Sequence, residues 1–243
     1  SKKIFQKITL ALPQNMESKK YLKLLGTQNI KFVGNLKFFG EVRKDNTKNL
    51  ILKKKFSKRN IFCAASTHRT EELFIGKVHK ELKSEIKNLI TIIIPRHINR
   101  KKEILDELHN IGLNSQFHTA HKKITKDTDI YIVDTYGDSS KFYSLSKLTF
   151  LGGSLITHGG QNPLESAREG NYILHGPHIE NFKEVYEMLK KLKITTRINS
   201  MKNMKFVVRQ KINFLQRNTV NKKLKYLGDK ILNKNLYEIK KFI

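Results

Sequence analysis

The sequence predicts an α/β protein: a parallel sheet with helices on both faces, followed by a helical C-terminal tail. The first observation is a series of short apolar runs that alternate with segments of helical spacing. The second is that these runs are continuous rather than alternating, as expected for parallel strands covered on both faces. The third is that polar and glycine-rich motifs follow the runs, where ligands of open α/β sheets bind.

Residues 1–38 predict a strand, a helix and a second strand. An apolar run over residues 7–12 ends at Pro13, a helical pattern covers residues 17–25, and a second run covers residues 29–33. Gly26 favours the end of that helix because glycine adopts left-handed backbone without strain. The polar segment that follows predicts a linker over residues 39–50.

Residues 51–198 predict one domain of alternating strands and helices. The strands are predicted at 61–65, 90–94, 130–133, 148–151 and 172–174. The helices are predicted at 70–89, 100–111, 139–146, 162–169 and 181–192. Alternation of this kind favours an open sheet with right-handed crossovers.

Residues 199–243 predict lysine-rich helices with an apolar stripe. Such a stripe more often reflects core packing than a partner site. From residue 181 to the end there are 17 basic and 4 acidic residues, a local excess of 13. This excess either forms a solvated face or predicts binding to an anionic membrane surface.

The net charge of +27 also raises the question of nucleic-acid binding. Lysine supplies most of this charge, and asparagine and isoleucine are also abundant, so a preference for A/T-rich codons is a sufficient cause. Zinc-finger spacing, an aromatic RNA-binding strand and a basic zipper are all absent from the sequence. Nucleic acid is therefore not the expected partner.

Cysteine use and hydrophobic runs exclude several protein classes. A single cysteine, Cys63, excludes a disulfide framework and a multi-thiolate metal site, and its apolar neighbours predict a buried position. Apolar runs of about 18–20 residues, which a membrane span requires, do not occur in the sequence, and neither does a signal peptide. Histidine and carboxylate spacings give no metal site. Because the chain begins at Ser1, we expect a fragment of a longer protein.

Residues 150–165 carry the most informative pattern. A predicted strand runs into a turn with two glycine pairs, which allow close backbone approach to a ligand, and then into a helix whose N-terminus suits phosphate. Asn162 is expected at the N-cap and Pro163 at the first helical position. Glu165 then has two readings: it bonds back to the Asn162 amide in a capping box, or it holds a sugar hydroxyl.

Three further motifs follow predicted strands. They are Ser66-Thr67-His68, Pro95-Arg96-His97 and Asp134-Thr135-Tyr136-Gly137. Arg96 offers a bidentate donor for phosphate or carboxylate, the alternative being a structural ion pair. Ser66 and Thr67 are expected to cap the next helix, with Glu71 completing local hydrogen bonds.

In this order the motifs resemble those of the 3-deoxy-D-manno-octulosonic acid (Kdo) transferases of lipopolysaccharide assembly. The matching segments are Gly34-Asn35-Leu36-Lys37, Ala65-Ser66-Thr67-His68, Pro95-Arg96-His97, Asp134-Thr135-Tyr136-Gly137, Gly152-Gly153-Ser154…His158-Gly159-Gly160-Gln161-Asn162-Pro163-Leu164-Glu165 and His175-Gly176-Pro177-His178…Asn181-Phe182. They span about residues 1–190. The family usually has histidine at position 161 and Met-Gly-Glu at positions 136–138, so the side-chain roles of those positions are not carried over.

The resemblance implies the C-terminal half of a GT-B glycosyltransferase. Residues 1–38 would be the end of an N-terminal acceptor domain, 39–50 the linker, 51–198 a Rossmann-like donor-binding domain, and 199–243 basic C-terminal helices. The implied reaction transfers Kdo from CMP-Kdo to lipid A or its tetraacyl precursor, without cofactor or metal. The implied CMP-binding residues are Pro95, Arg96, His97, Tyr136, Gly137, Asp138, Gly152, Gly153, His158, Asn162, Pro163, Leu164 and Glu165.

The resemblance also bears on catalysis and location. In the family the catalytic base lies in the N-terminal domain, which would precede Ser1, so this chain is expected to bind the donor and do little chemistry alone. The implied location is the cytoplasmic face of the bacterial inner membrane, peripheral or anchored through the N-terminus. The alternatives are another GT-B enzyme with a UDP or GDP donor, and a basic α/β domain that binds nucleic acid.

Overall fold

Seven parallel strands form one sheet in the order β3-β4-β2-β1-β5-β6-β7. They are β1 Asn60–Thr67, β2 Leu89–Pro95, β3 Ser115–Phe117, β4 Ile130–Ile132, β5 Leu148–Leu151, β6 Tyr172–His175 and β7 Thr195–Arg197. The computed structural model describes residues 2–40, 46–120, 123–214 and 217–243. Because all strands are parallel, their carboxyl ends meet at one edge of the sheet, and the motifs lie at that edge.

Helices connect the strands and also occur outside the sheet-forming part of the sequence. They are α1 Lys2–Phe5, α2 Met16–Leu24, α3 Asn46–Phe56, α4 Glu71–Leu82, α5 Lys101–Asn110, α6 Ser139–Leu145, α7 Leu164–Arg168, α8 Lys183–Lys191, α9 Met201–Lys211 and α10 Arg217–Ile239. The predicted fold class, a parallel α/β sheet with a helical C-terminal tail, is confirmed. Within the described ranges, no helix combines the length and the apolar character that crossing a membrane requires.

The core is centred on β1, which pairs with β2 on one side and β5 on the other. Its apolar residues are buried, as the continuous run predicts. Cys63 lies in the middle of this strand with no solvent exposure, and burial raises the pKa of its thiol. The expectation that Cys63 is a buried hydrophobic residue is therefore confirmed.

Two strands, β3 and β7, and two helices, α1 and α3, were not predicted. The strands β3 and β7 have three residues each and form the edges of the sheet, so their partners define them more than their sequence does. The helix α3 begins at Asn46, inside the predicted linker, and residues 41–45 of that linker lie outside the described residues. The helix predicted over residues 70–89 ends earlier, at Leu82. Turns follow, with Asn88 at a positive φ of 56°, before Leu89 begins β2.

The chain divides into two compact units. One contains Ser1–Glu41 with Thr219–Ile243, and the other contains Val42–Asn218. The second unit therefore holds the whole sheet together with α9. In the first unit the strands predicted at 7–12 and 29–33 reduce to a single parallel bridge between Ala11 and Ile30.

The first unit packs through α10. Gly34 has a φ of +117°, and a Cβ added there would lie 2.9 Å from a side-chain carbon of Ile231. A Cβ on Gly228 would lie 2.5 Å from the carbonyl oxygen of Phe38. These approaches need glycine because no larger residue leaves room for the neighbouring chain. The buried side of α10 thus contacts residues that precede the sheet by sequence.

Candidate functional site

A buried carboxylate joins two of the motif-bearing loops. Glu71, at the start of α4, accepts hydrogen bonds from the backbone N–H groups of His68 (3.0 Å), Gly153 (2.7 Å), Ser154 (3.1 Å) and Leu155 (2.9 Å). The bond to His68 is the local one that the sequence predicts. The other three bonds reach residues that follow β5. One side chain therefore holds residues 152–160, here called the glycine segment, against the loop that follows β1.

Gly152 allows these loops to approach each other. A Cβ at this position would lie 2.4 Å from the carbonyl oxygen of Ser66, 2.6 Å from Cα of Thr67 and 2.7 Å from Oε2 of Glu71. Two of these three atoms belong to the backbone, which cannot move aside cheaply. The glycine is therefore required for loop packing, independently of any ligand.

The cap expected from Ser66 and Thr67 is wrong. Both residues precede α4 by several positions: Thr67 is the last residue of β1, and the N-cap of α4 is Thr70. Ser66 has a positive φ of 53°, which breaks the strand register and turns the chain toward the sheet edge. The N-cap Thr70 makes no side-chain cap bond either, and the Glu71 carboxylate accepts the His68 N–H, which lies before the helix.

The second glycine pair forms a turn that folds back on the first. The backbone N–H of Gly160 donates to the carbonyl of Gly153 at 2.8 Å. Gly159 and Gly160 have φ values of +86° and +76°, which L side chains rarely adopt. Asn181 holds this turn from outside, since its backbone N–H donates to Gly159 O and its side-chain amide donates to His158 O.

The His175-Gly176-Pro177-His178 motif packs under the same segment. The Ser154 hydroxyl accepts the Gly176 N–H at 2.8 Å, and the His178 N–H donates to Ser154 O at 3.0 Å. A Cβ on Gly176 would lie 2.1 Å from the Ser154 carbonyl oxygen. The end of β6 is therefore tied to the glycine segment as tightly as the end of β1.

Three histidines gather at this edge. The His68 ring, 8% exposed, lies 4.3 Å from the His158 ring and 5.6 Å from the His97 ring, between centroids. Burial lowers the pKa of His68 to about 4, assisted by the nearby His158, His97 and Arg96. His68 is therefore neutral near pH 7, and its Nε2 lies 3.3 Å from the side-chain nitrogen of Gln161.

Arg96 is exposed at the end of β2. Its backbone N–H donates to Thr67 O at 2.9 Å, while its guanidinium makes no ion pair with any described acid. Arg100, four residues later, pairs with Glu72 at 3.1 Å and with Glu103 at 3.3 Å. The structural ion pair considered for Arg96 thus occurs at Arg100, which leaves the Arg96 guanidinium available to an anion.

Pro95 and His97 flank Arg96 and differ in exposure. Pro95 is buried as the last residue of β2, and it pairs with Thr67 of β1. His97 is exposed and is in edge-on contact with the His68 ring. His68 thus neighbours four of the predicted ligand-binding residues. Its ring contacts the rings of His97 and His158, lies next to Gly153, and is affected by the charge of Arg96.

The loop after β4 is exposed and loosely packed around Tyr136 and Gly137. Tyr136 is 75% exposed, and a Cβ on Gly137 would meet no atom within 4 Å. Asp138 is held locally, since its carboxylate accepts from the Thr135 hydroxyl at 2.6 Å and from Lys141 at 2.5 Å. In the described chain, hydrogen bonds and ring contacts do not join these residues to the Arg96 group.

Asp134 anchors the beginning of that loop. Its buried carboxylate accepts from the Thr119 backbone N–H at 3.0 Å, the Thr119 hydroxyl at 2.6 Å and Lys101 at 2.8 Å. Burial alone would raise the pKa of Asp134, but these bonds hold it below its ordinary value. Asp134 therefore has a structural role. Its sequence motif alone does not distinguish this role from ligand binding.

The start of α7 differs by one residue from the prediction. Its N-cap is Pro163 rather than Asn162, and its first helical residue is Leu164. Asn162 still caps the helix, because its Oδ1 accepts the Leu164 N–H at 3.1 Å. Glu165 is exposed, and its carboxylate makes no capping-box bond to the Asn162 amide in the part of the chain that is described. Leu164 and Pro163 are buried, so only Asn162 and Glu165 present side chains to solvent here.

Groups of three or more histidine, cysteine or acidic side chains placed to hold a metal do not occur among the described residues. The site residues that sequence reasoning missed are Glu71, as a link between loops, and Ser154. Their bonds reach segments that are distant along the chain, so the local sequence carries no signal for them.

Known proteins resemble this chain in both sequence and fold. No protein-family model matches it. The 3-deoxy-D-manno-octulosonic acid transferase of Haemophilus influenzae is 30% identical over 199 residues, 79% of this chain and 45% of that protein. The Rickettsia bellii protein of the same name is 32% identical over 177 residues, 72% of this chain and 42% of that protein. The chain thus spans about half the length of these curated relatives.

Solved structures agree with these relatives. The C-terminal CMP-Kdo binding domain of WaaA from Acinetobacter baumannii is 25% identical, with a TM-score of 0.62 that covers 76% of this chain and 96% of that one. Anabaena Alr3699/HepE, in complex with UDP and glucose, has a TM-score of 0.56 at 8% identity, which shows the fold alone. The architecture is that of a GT-B C-terminal domain. By sequence and by fold, the chain matches the C-terminal portion of the 3-deoxy-D-manno-octulosonic acid transferases.

Proposed function

We propose that this chain binds the CMP part of CMP-Kdo and serves as the donor half of a Kdo transferase. The observation that carries the proposal is the exposed Arg96 guanidinium, which forms no ion pair with any of the described acids and lies at the end of β2, beside the glycine segment. Its charge acts on the neutral His68, whose ring lies beside His158 of that segment. Arginine binds phosphate through a planar pair of donors.

In this proposal the leaving phosphate lies between Arg96 and the backbone of residues 152–160. The negative charge that develops on CMP as the sugar departs would be stabilised by a donor that is already in place. The bonds from Glu71 to the Gly153 and Ser154 amides fix that backbone before the ligand arrives. Such pre-organisation lowers the cost of ordering the site on binding.

Glu165 is proposed to hold the ribose. Its carboxylate is exposed and free of the capping-box bond that was the alternative, and it interacts electrostatically with Arg168. A carboxylate accepts two hydroxyl hydrogen bonds, which suits a vicinal diol. Asn162 adds a side-chain amide whose oxygen is engaged with Leu164 and whose nitrogen faces no described partner.

Calorimetric titration with CMP, UMP and GMP tests this proposal. We expect CMP to bind most tightly, and Arg96→Ala and Glu165→Ala each to weaken it by about 1–3 kcal/mol, or roughly 5- to 150-fold. Arg209→Ala is the matched control, because Arg209 is an exposed arginine on α9 that pairs with Glu85. Equal or tighter binding of UMP or GMP would favour a different sugar-nucleotide donor. A folded chain that binds none of them would contradict the proposal.

The proposed acceptor is lipid A or its precursor, as the family resemblance implies, and the proposed setting is an anionic membrane surface. The face of α10 that fits such a surface carries Tyr226, Lys230, Lys234 and Tyr237, spaced by three and four residues. The two tyrosines are 70% and 65% exposed, unusually high for aromatic rings. Tyrosine favours membrane–water interfaces, and each nearby lysine contributes about 1 kcal/mol toward anionic lipid.

Vesicle co-sedimentation tests the membrane proposal. We expect binding to phosphatidylcholine vesicles only when anionic phosphatidylglycerol is included, and weaker binding by a Lys230→Gln, Lys234→Gln double variant. Lys53→Gln with Lys54→Gln on α3 is the control, because it removes two exposed lysines from another helix. Binding that ignores lipid charge, or that the two double variants weaken equally, would contradict a specific role for α10.

A further inference from the structure

A cavity of about 600 Å³ opens at the carboxyl edge of β6 and β7, beside α8. Its volume lies within the range of ordinary small-molecule sites. It is lined by residues of the 175–180 loop, of α8 and of β7, none of which belongs to the proposed CMP site. The cavity therefore calls for a separate explanation.

His175 forms part of the cavity wall. It is 5% exposed, and its Nδ1 lies 2.7 Å from the carbonyl oxygen of Gly176. Burial, followed by the nearby charge of Arg197, holds the pKa of His175 below its ordinary value, against the opposing effect of the bond to Gly176. Because the neutral ring donates from Nδ1, its Nε2 is an acceptor. That nitrogen has no hydrogen-bond partner in the described part of the chain.

The cavity also presents charge of both signs. Its cationic side chains are Lys183, Lys190 and Arg197. Ion pairs between these three and the described acids are absent. Two carboxylates share the wall: Glu187, and Glu180, which faces His178 at 3.6 Å. The cavity thus offers cations for an anionic group together with acceptors for hydroxyl groups.

A buried pair of rings supports the wall. The ring of Tyr186 lies against the ring of His175, with centroids 4.5 Å apart, and its hydroxyl donates to Gln161 O at 3.1 Å. Thr195 and Thr196 also line the cavity, but their hydroxyls already bond to Ile173 and Tyr172. The groups left for a ligand are therefore the acceptors and the cations.

We infer that this cavity binds a saccharide that carries a carboxylate or a phosphate, at a site separate from that for CMP. The anionic group would pair with Arg197 and Lys183, while sugar hydroxyls would donate to His175 Nε2 and Glu187. A neutral sugar would leave the cations desolvated without a partner, and a bare anion would leave the acceptors unused. This inference uses no residue of the proposed donor site, so it stands independently of it.

Amide chemical-shift titration of the ¹⁵N-labelled chain tests the inference. The probes are free Kdo as a sugar acid, glucose 6-phosphate as a sugar phosphate, glucose, and inorganic phosphate. We expect Kdo or glucose 6-phosphate to shift amides of residues 175–197 saturably, and the stronger of the two identifies the anionic group. Glucose and inorganic phosphate are expected to bind at least tenfold more weakly.

Variants locate the binding. We expect Arg197→Gln and Lys183→Gln to weaken it at least tenfold, and Lys191→Gln, an exposed lysine of α8 outside the cavity, to leave it unchanged. CMP titrated into the same variants is expected to bind as in the original chain. Saccharide binding that persists in both cavity variants, equal binding of glucose or inorganic phosphate, or no shift with any probe would overturn the inference. Shifts confined to residues 152–160 and abolished by Arg96→Ala would overturn it while the proposed function stands.

Discussion

Two loops at the same edge of the sheet are built in opposite ways. The segment 152–160, after β5, is held by three bonds from Glu71 and packed so closely that Gly152 and Gly159 have no room for a Cβ. The loop 134–138, after β4, is anchored at its ends but open at Tyr136 and Gly137. Glycine thus serves two purposes here: dense packing in one loop, and backbone freedom in the other.

The segment 152–160 is therefore already in one conformation before a ligand binds. The loop 134–138 would have to be ordered by the ligand. A segment whose backbone amides are already bonded has one geometry. A loop with an exposed ring and an unfilled turn loses entropy when a ligand contacts it. We therefore expect mutations in the first loop to act on folding, and mutations in the second to act on affinity.

The largest effect is expected from Gly152→Ala. The added methyl would meet two backbone atoms at 2.4 and 2.6 Å, so we expect a loss of at least about 3 kcal/mol in the free energy of unfolding. Gly137→Ala is the control: its φ of +80° is unfavourable for alanine, but the space is empty, so the cost is about 1 kcal/mol. Urea unfolding measures both. A loss at Gly152 no larger than that at Gly137 would contradict the role of close packing, because Gly152 has no positive φ to explain it.

Glu71→Gln is expected to cost about 2–3 kcal/mol. An amide has one acceptor oxygen in place of two, and its nitrogen would face N–H donors in a buried site. Glu81→Gln, at the exposed end of the same helix where Glu81 pairs with Lys205, is expected to cost below about 1 kcal/mol. Chemical unfolding compares the two variants. If they lose the same stability, the cross-loop bonds do not hold the glycine segment.

His68 predicts a pH dependence of stability. Its folded-state pKa of about 4 lies below the unfolded value near 6.5, so the unfolded chain takes up this proton first as the pH falls. The contribution is complete above about pH 6.5 and is lost as the pH falls toward 4. We expect His68→Gln to reduce the fall in unfolding free energy over this window by roughly 2 kcal/mol. His109→Gln, an exposed histidine of α5, is the control. An unchanged pH profile in His68→Gln would contradict the assignment.

Tyr136→Ala is expected to have the smallest effect. The ring is mostly exposed, so its removal should change stability by less than about 0.5 kcal/mol. If the backbone of this loop contacts the base, CMP affinity should fall by less than about threefold, far less than in Arg96→Ala. Calorimetry on the variant provides the measurement. A tenfold loss would show that the ring itself contacts the nucleotide.

The sequence predicts best those elements whose burial pattern is local. Strands β1, β2, β5 and β6 are continuous apolar runs, and each lies within two residues of its predicted bounds. The strand β7 has the sequence Thr195-Thr196-Arg197, and only its pairing with β6 makes it a strand. Propensity cannot identify such an edge, because the partner supplies the stabilisation.

The candidate site divides in the same way. The motif order predicts which loops converge, but not which side chains they leave available. Arg96 and Arg100 are four residues apart in one motif region, and only the position of Glu72 shows which of them is paired. Likewise, the Glu71 bond to Gly153 spans 82 residues of sequence, so no local pattern reveals it.

The position of Cys63 has a practical consequence. It is the only thiol in the chain, it lies inside β1 between two paired strands, and its raised pKa keeps it protonated. Alkylating reagents attack the thiolate, so the folded chain should resist them until the sheet opens. The rate of alkylation under native conditions would then report how readily the sheet opens, without any introduced label. If the chain binds CMP as proposed, alkylation should slow by a factor that grows with the ratio of free CMP to its dissociation constant.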